Sequence, residues 1–322
     1  MPLLLRLLCL LALVVCPAIA SAQDFPSKAI KWVVPFPAGG PADSMSRIIT
    51  EKLAEILKQP LVIENRSGAA GITGIASVAK ADPDGYTVGI ASSGTLAINL
   101  SLRDNMPYHP LKDLRLLTQV VSVPEMLVVA DSVPARTLPE LIALIKAQPG
   151  KLSYASTGVG GMPHMATELL KLTANLEIVH VPYTGAAPAV NDLLGGHVQM
   201  MFADLPILLG NVQAGKLHAL AIGSRVRSPN VPNVPTTAEL GLPDVQADNW
   251  YGLVVAAATP APIAAKLHAA TVEALRSPDV KEKLAKLGAL AVGNSTEEFT
   301  AYVLAEIDKW AKVVKAAGIK AK

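Results

Sequence analysis

The chain has 322 residues, of which 51% are hydrophobic and 17% are charged, and its mean hydropathy is +0.39. Its formal net charge of +2 removes the electrostatic argument for a nucleic acid or an anionic membrane surface as a partner. Aromatic residues make up only 4% of the chain, which argues against a cleft that stacks on sugars or bases.

Residues 1–22 have the layout of a secretory signal peptide. The charged residue Arg6 precedes an apolar run at 7–15, and small residues at 17–22 form the expected cleavage region. We therefore predict an exported protein, cleaved after about Ala22 and located in the periplasm. No later segment approaches the ~20 consecutive apolar residues that a transmembrane helix needs.

The remaining chain offers little for metal or enzyme chemistry. Both cysteines, Cys9 and Cys16, lie in the predicted leader, which excludes a disulfide and a cysteine-ligated metal in the mature protein. The six histidines include no metal-type pair at helical spacing. The Walker, dinucleotide-binding and nucleophile-elbow motifs are absent from the sequence. We predict no metal, no cofactor and no catalytic activity.

Strand-like runs alternate with helical patterns along the rest of the chain, which predicts α/β units built on parallel sheets. The apolar patterns predict strands at 30–34, 61–63, 86–91, 114–121, 126–130, 152–155, 178–181, 198–202, 217–223 and 250–256. Helices are predicted at 45–57, 67–80, 137–147, 262–276 and 295–317, and from about 162 and 187. Capping boxes open two of these helices, pairing Thr137 with Glu140 and Ser295 with Glu298.

The connections at 101–113 and 224–242 are rich in proline and polar residues. One economical arrangement is a first lobe that the chain leaves and re-enters. We predict a discontinuous lobe I from residues 23–122 and 224–322, and a lobe II from residues 123–223. The two connections near residues 122 and 224 would then form a hinge.

Four predicted strand-to-helix junctions consist largely of glycine and other small residues, at 37–41, 67–71, 156–161 and 183–188. Such turns expose backbone N–H groups at the positive end of a helix dipole, which can bind an anion without a buried cation. Glycine at a single turn also has a purely structural explanation, because tight turns require its backbone freedom. The set of four, with hydroxyl side chains at strand ends, favours a ligand site.

Three polar residues near these turns have two interpretations each. Asp43 falls in the first turn of a helix, where a carboxylate stabilises the helix start without any ligand. Asp204 follows a predicted strand and could face a cleft or cap a helix. His164 could reach a ligand oxygen or satisfy its own helix end.

Six segments, in order along the mature chain, resemble the Bug-type extracytoplasmic solute receptors, the binding component of tripartite tricarboxylate transporters. The segments are FPAGG at 36–40 with Asp43 and Arg47, ENRSGAAG at 64–71, ASSGT at 91–95 with IN at 98–99, YASTG at 154–158, VPYTG at 181–185 and WAKVV at 310–314.

The resemblance implies a two-lobed periplasmic binding protein fold, type II-like, with two doubly wound sheets joined by two crossing strands. It further implies a cleft that closes on a small mono-, di- or tricarboxylate, and a monomer that delivers this ligand to integral membrane transporter subunits. Carried over by motif, the ligand contacts are Ala38, Gly39, Gly40, Ser156, Thr157 and Gly158. A second tier comprises Gly68, Ala69, Ser93, Thr184 and Asp204, and Asp43 and His164 are further candidates.

Two alternatives stay open at the level of sequence. The receptor could present its ligand to a sensor protein instead of a permease. The chain could also be an exported α/β hydrolase-like enzyme that uses His164 with a nearby serine.

Overall fold

The computed structural model describes residues 25–320, so the predicted signal peptide lies outside the described residues. Ten strands and ten α-helices make up the described part, which confirms the predicted α/β class. Within that part, no helix combines the length and the apolar character needed to cross a bilayer.

The strands are β1 (Ile30–Val34), β2 (Leu61–Asn65), β3 (Thr87–Ser92), β4 (Leu114–Ala130), β5 (Ser153–Ser156), β6 (Val179–Pro182), β7 (Met200–Asp204), β8 (Leu217–Ile222), β9 (Asp248–Ala256) and β10 (Leu290–Ala291). The helices are α1 (Pro41–Leu57), α2 (Ile72–Ala79), α3 (Asn99–Leu102), α4 (Leu138–Ala147), α5 (Met162–Ala174), α6 (Ala186–Leu194), α7 (Leu205–Gln213), α8 (Ala261–Arg276), α9 (Pro278–Lys286) and α10 (Thr296–Ala317). A short 3-10 turn precedes α2, and a π-helical turn precedes α3.

The strands are hydrogen-bonded in the order β2-β1-β3-β9-β4-β7-β5-β6, with β8 and β10 also paired to β4. Strand β1 runs parallel to β2 and β3, and β5 runs parallel to β6 and β7. Between these two parallel groups lie β9 and β4, which are antiparallel to each other. The sheet therefore has two α/β halves that meet at an antiparallel centre.

Strand β4 takes part in both halves. Its first part pairs with β9 as far as Pro124, and from Glu125 onward it pairs with β7 and then also with β8. At the changeover, Gly223 N–H donates to the Glu125 carbonyl at 2.8 Å, and Glu125 N–H donates to the Ala247 carbonyl at 3.3 Å. Three chain segments are thus tied together at one point between the halves.

The prediction of two separate strands at 114–121 and 126–130 is wrong, because β4 is continuous. Proline has no N–H to donate and normally marks the end of a central strand. Here Pro124 occupies the position at which β4 exchanges one set of partners for another, so the missing donor does not interrupt the strand.

The two predicted capping boxes are confirmed at the starts of α4 and α10. The helix predicted from residue 67 begins later, at Ile72. Gly68 and Gly71 adopt φ values of 142° and 91°, which are incompatible with a regular helix and which residues with a Cβ rarely adopt.

Helices cover the sheet, and its central strands are buried along almost their whole length, as expected for a sheet covered on both faces. On one side, Trp32 of β1 packs in a cluster with Met45 and Ile49 of α1. On the other, Phe299 and Trp310 of α10 are fully buried in a second cluster, and the Phe299 ring packs edge-on against Trp250 of β9. The buried carboxylate of Glu306 accepts hydrogen bonds from the indoles of Trp250 and Trp310 at 3.0 and 2.8 Å.

Candidate functional site

A cleft of about 1070 Å³ lies between the two halves of the sheet. The loops after β1, β2 and β3 line one side, and the loops after β5, β6 and β7 line the other. These loops follow the carboxyl ends of parallel strands, the position at which open α/β sheets bind ligands.

All four small-residue turns meet in this cleft. The predicted site residues that line it are Ala38, Gly39, Gly40, Gly68, Ala69, Ser93, Thr157, Gly158, Thr184 and Asp204. Other lining residues were not predicted and include Phe36, Ser44, Arg103, Tyr183, Asn191, Asn249 and Tyr251. Asp43, Ser156 and His164 do not line the cleft, and each lies directly behind it.

Four helices begin at the cleft without a side-chain cap. Their N-cap residues Gly40, Gly161, Gly185 and Asp204 all line it, and none of them accepts a hydrogen bond from its own helix through a side chain. By contrast, α4 and α10 start with capping boxes. The first-turn amides at the cleft therefore lack the acceptor that a serine, threonine or aspartate cap would supply. An anion in the cleft can take that place.

Asp43 organises the first of these turns from behind. Its carboxylate is 2% exposed and accepts hydrogen bonds from Gly39 N–H at 2.9 Å and Asn65 Nδ2 at 3.0 Å, and it pairs with Arg47 at 2.9 Å. Burial tends to raise the pKa of Asp43, but the hydrogen bonds from Arg47, Gly39 and Asn65 outweigh burial and lower this pKa below its usual value. Because the Gly39 amide is used in this way, Asp43 shapes the turn.

Two histidines lie behind the turn at 156–161. His164 is 3% exposed, and its Nδ1 accepts a hydrogen bond from Gly160 N–H at 3.3 Å, in the turn just before its own helix. Its ring stacks on that of His180, which in turn lies 2.7 Å from the Ser156 hydroxyl. Burial lowers the pKa of both histidines to about 4, with a contribution from nearby positive charge, so both are neutral near pH 7.

The serine–histidine contact in this region does not line the cleft. It joins Ser156 to His180, whereas the hydrogen bond of His164 goes to a backbone amide. Ser156 is fully buried and does not line the cleft, so its hydroxyl is not placed to attack a bound molecule. Within residues 25–320, no group of three or more histidine, cysteine, aspartate or glutamate side chains is placed to hold a metal ion.

A polar network forms the floor of the cleft, where the two halves meet. Ser93 Oγ donates to Asn249 Oδ1 at 2.7 Å, and Asn249 Nδ2 donates to Asp204 Oδ1 at 2.8 Å. The Tyr251 hydroxyl donates to Asp204 Oδ2 at 3.2 Å. Burial and the Asp204 carboxylate raise the pKa of Tyr251 well above its usual value, which keeps the phenol protonated as a donor.

Glu125 lies beneath Asp204 and is its register partner across β4 and β7. Its carboxyl group is fully buried, and neither oxygen receives a hydrogen bond from the described residues. Burial and the neighbouring Asp204 raise the pKa of Glu125 well above its usual value.

Among the described residues that line the cleft, the charged side chains are Arg103 and Asp204. Arg103 Nε donates to Asn99 Oδ1 at 3.3 Å. The cleft thus carries one charged side chain of each sign among its described lining residues.

Asn249 and Tyr251 were not predicted as site residues, because their position at the cleft depends on the direction of β9. Strand β9 runs antiparallel to β3, so its amino end lies beside the carboxyl end of β3. The predicted strand at 250–256 was correct to within two residues at its start, but its pattern gave no direction.

A family model described as the tripartite tricarboxylate transporter family receptor matches residues 45–319. Protein BugT of Bordetella pertussis is 39% identical over 303 residues, which cover 94% of this chain and 93% of BugT. The solved structure of the periplasmic binding protein BugD is 32% identical in sequence, with a TM-score of 0.84. The match covers 92% of this chain and 100% of the BugD chain. These matches confirm the resemblance and the periplasmic binding protein fold.

Two further solved structures contain a dicarboxylate. The R. palustris protein Rpa4515 with adipate is 35% identical, with a TM-score of 0.87 over 92% of this chain and 99% of its own. MatC from Rhodopseudomonas palustris with bound malate is 34% identical, with a TM-score of 0.83 over 90% of this chain and 100% of its own.

Proposed function

The chain belongs to the tripartite tricarboxylate transporter receptor family, and on that premise we propose that it captures a small organic carboxylate in its cleft and delivers it to the membrane subunits of such a transporter. The observation that carries this proposal is the convergence of four uncapped helix starts on one cleft. The relatives with bound adipate and malate support a carboxylate as the ligand.

The ligand carboxylate binds the amides at the starts of α1 and α5 in this proposal, and hydroxyl groups of Thr157 and Thr184 assist. A helix start stabilises a nearby anion by about 0.3–1 kcal/mol when exposed and by up to about 2 kcal/mol when partly buried. Several such contributions become stronger when closure removes water from the cleft.

Closure requires that the two halves move as units. We propose that residues 23–122 with 224–322 form lobe I, that residues 123–223 form lobe II, and that they rotate about the crossing at Glu125, Gly223 and Ala247. The change of partners along β4 supports these boundaries. The protein acts in the periplasm after removal of residues 1–22, as a monomer and without catalysis.

Binding of a carboxylate is tested with the mature protein, residues 23–322, and a panel of mono-, di- and tricarboxylates at millimolar concentration. A ligand present at 100 times its Kd adds about 2.7 kcal/mol to the free energy of unfolding, which raises the thermal unfolding midpoint. If no acid in the panel raises this midpoint, the proposal fails. Mass spectrometry of the ligand released from freshly purified protein then identifies the natural acid.

A further inference from the structure

The floor of the cleft presents a carboxylate at the place where the two halves meet. Asp204 lines the cleft although it is only 3% exposed. It holds its orientation through Asn249 and Tyr251, both on β9, so its position is fixed from the opposite half of the sheet.

The Asp204 carboxylate can accept more hydrogen bonds than it receives from the protein. Two carboxylate oxygens offer about four acceptor positions, and Asn249 and Tyr251 occupy two of them. Glu125, its register partner on β4, lies beneath it without a hydrogen bond to any described residue, so the unused acceptor positions of Asp204 stay open to a donor from the cleft.

A bound molecule therefore meets an acceptor that water satisfies in the open cleft. When the cleft closes on a ligand without a donor at this point, the Asp204 carboxylate loses its hydrogen bonds to water and the ligand does not replace them. A site of this kind discriminates strongly against the analogue that lacks the donor, because a buried polar group is left unpaired.

We propose that Asp204 is a specificity-determining residue, which accepts a hydrogen bond from a hydroxyl or amino group on the bound acid. This inference rests on the proposed function and narrows its substrate class to hydroxy- or amino-carboxylates. In this proposal the acidic groups of the ligand lie at the starts of α1 and α5, away from Asp204, and the donor-bearing carbon lies over the floor.

The test compares acids of equal charge that differ by one hydroxyl group, so that the overall attraction of the cleft for anions cancels. Isothermal titration calorimetry on the mature protein uses the pairs succinate and malate, propionate and lactate, and adipate and 3-hydroxyadipate. In the pair that fits the cleft, the hydroxy acid is expected to bind at least tenfold more tightly. For Asp204→Asn, this advantage falls to threefold or less, because hydrogen bonds to a neutral acceptor are weaker than those to a carboxylate.

Two control variants separate this role from a structural one. Asp192→Asn makes the same substitution at a residue that accepts a hydrogen bond from the Tyr183 hydroxyl at 2.6 Å and does not line the cleft. The ratio of the affinities for the two acids of a pair is therefore expected to stay at the wild-type value. Glu125→Gln changes a side chain that does not line the cleft and leaves Asp204 with its two donors Asn249 and Tyr251, so it also preserves the affinity ratio.

The wild-type measurement alone can overturn the inference, whether or not the variants fold. Equal affinity within every bound pair, or preference for the acid without the hydroxyl, contradicts it. So does an Asp204→Asn variant that weakens both members of a pair by the same factor. Absence of binding to every acid would instead contradict the proposed function.

Discussion

The imidazole rings of His164 and His180 are stacked, with ring centres 4.0 Å apart and planes inclined by 8°. Each ring holds one part of the turn at 156–161: His180 contacts the Ser156 hydroxyl, and His164 accepts from the Gly160 amide. Both contacts suit neutral rings, because Nδ1 of His164 can accept a hydrogen bond only when it is unprotonated.

The stability that His164 and His180 contribute is expected to be lost as the pH drops from about 6.5 to 4. Both histidines have a pKa of about 4 in the folded state, against 6.5 when unfolded, so the unfolded chain binds more protons in this interval. Each unit of difference corresponds to about 1.4 kcal/mol. Thermal unfolding of ligand-free protein at several pH values measures how steeply the free energy of unfolding depends on pH. His180→Gln should reduce this slope.

The matched control is His197→Gln, which removes an exposed histidine of the same half. Its slope should equal that of the wild type, since the carboxylates that also titrate in this range are unchanged. An unchanged slope for His180→Gln would show that the stacked pair does not govern acid sensitivity.

Gly161→Asp is expected to stabilise the protein while preventing carboxylate binding. Gly161 is the N-cap of α5 with φ −80° and ψ 163°, a backbone geometry suited to an aspartate cap, and an added Cβ would come no closer than 3.5 Å to its neighbours. The new carboxylate can accept from the first-turn amides and stabilise the helix by about 1 kcal/mol. It would thereby occupy the position that we assign to the ligand.

Thermal unfolding and calorimetry with the acid that best binds the wild type measure the two effects together. Gly161→Ser serves as the control, because it supplies a neutral cap of smaller size and should reduce affinity less. Unimpaired binding by Gly161→Asp would exclude the α5 start as a ligand contact.

Glu306→Ala is expected to destabilise the protein by about 2–4 kcal/mol. The substitution leaves the indole N–H groups of Trp250 and Trp310 buried without their acceptor, and each such loss costs about 1–3 kcal/mol. Urea denaturation measures the change. Asp308→Ala on the exposed face of the same helix should have an effect within about 0.5 kcal/mol; similar values for the two variants would contradict the role of Glu306.

Gly252→Ala is expected to destabilise the protein by about 1–3 kcal/mol, because a Cβ at this position of β9 would lie 2.0 Å from Cζ of Phe299. The control Gly210→Ala, on the exposed face of α7 with no atom within 4 Å, should instead stabilise the helix by up to about 1 kcal/mol. A double variant with Phe299→Leu should recover part of the loss. Additive effects of the two substitutions would show that Gly252 does not make room for that ring.

The sequence predicts most of the elements because their signals are local. Capping boxes at Thr137 and Ser295 mark helix starts through side-chain chemistry within four residues, and both are confirmed. The glycine-rich turns likewise predict exposed backbone amides, and residues from all four turns line the cleft.

What the sequence does not contain is the pairing of distant segments. The apolar pattern predicted a break between residues 121 and 126, because the exchange of partners along β4 that keeps the strand continuous is not visible in the sequence. Asn249 and Tyr251 reach the cleft only because β9 returns antiparallel, and Glu125 meets Asp204 only through the register of β4 and β7.

The central position of β9 also sets an order of assembly. Strands β4 to β8 come from one continuous stretch, so their half of the sheet can form as soon as that stretch is available. Strands β1, β2 and β3 connect to β4 in the sheet only through β9, which lies between β3 and β4. In the sequence, β9 begins more than 150 residues after β3 ends. Because contacts between distant segments form slowly, insertion of β9 is expected to be the late step of folding, and it is the step that first creates the floor of the cleft.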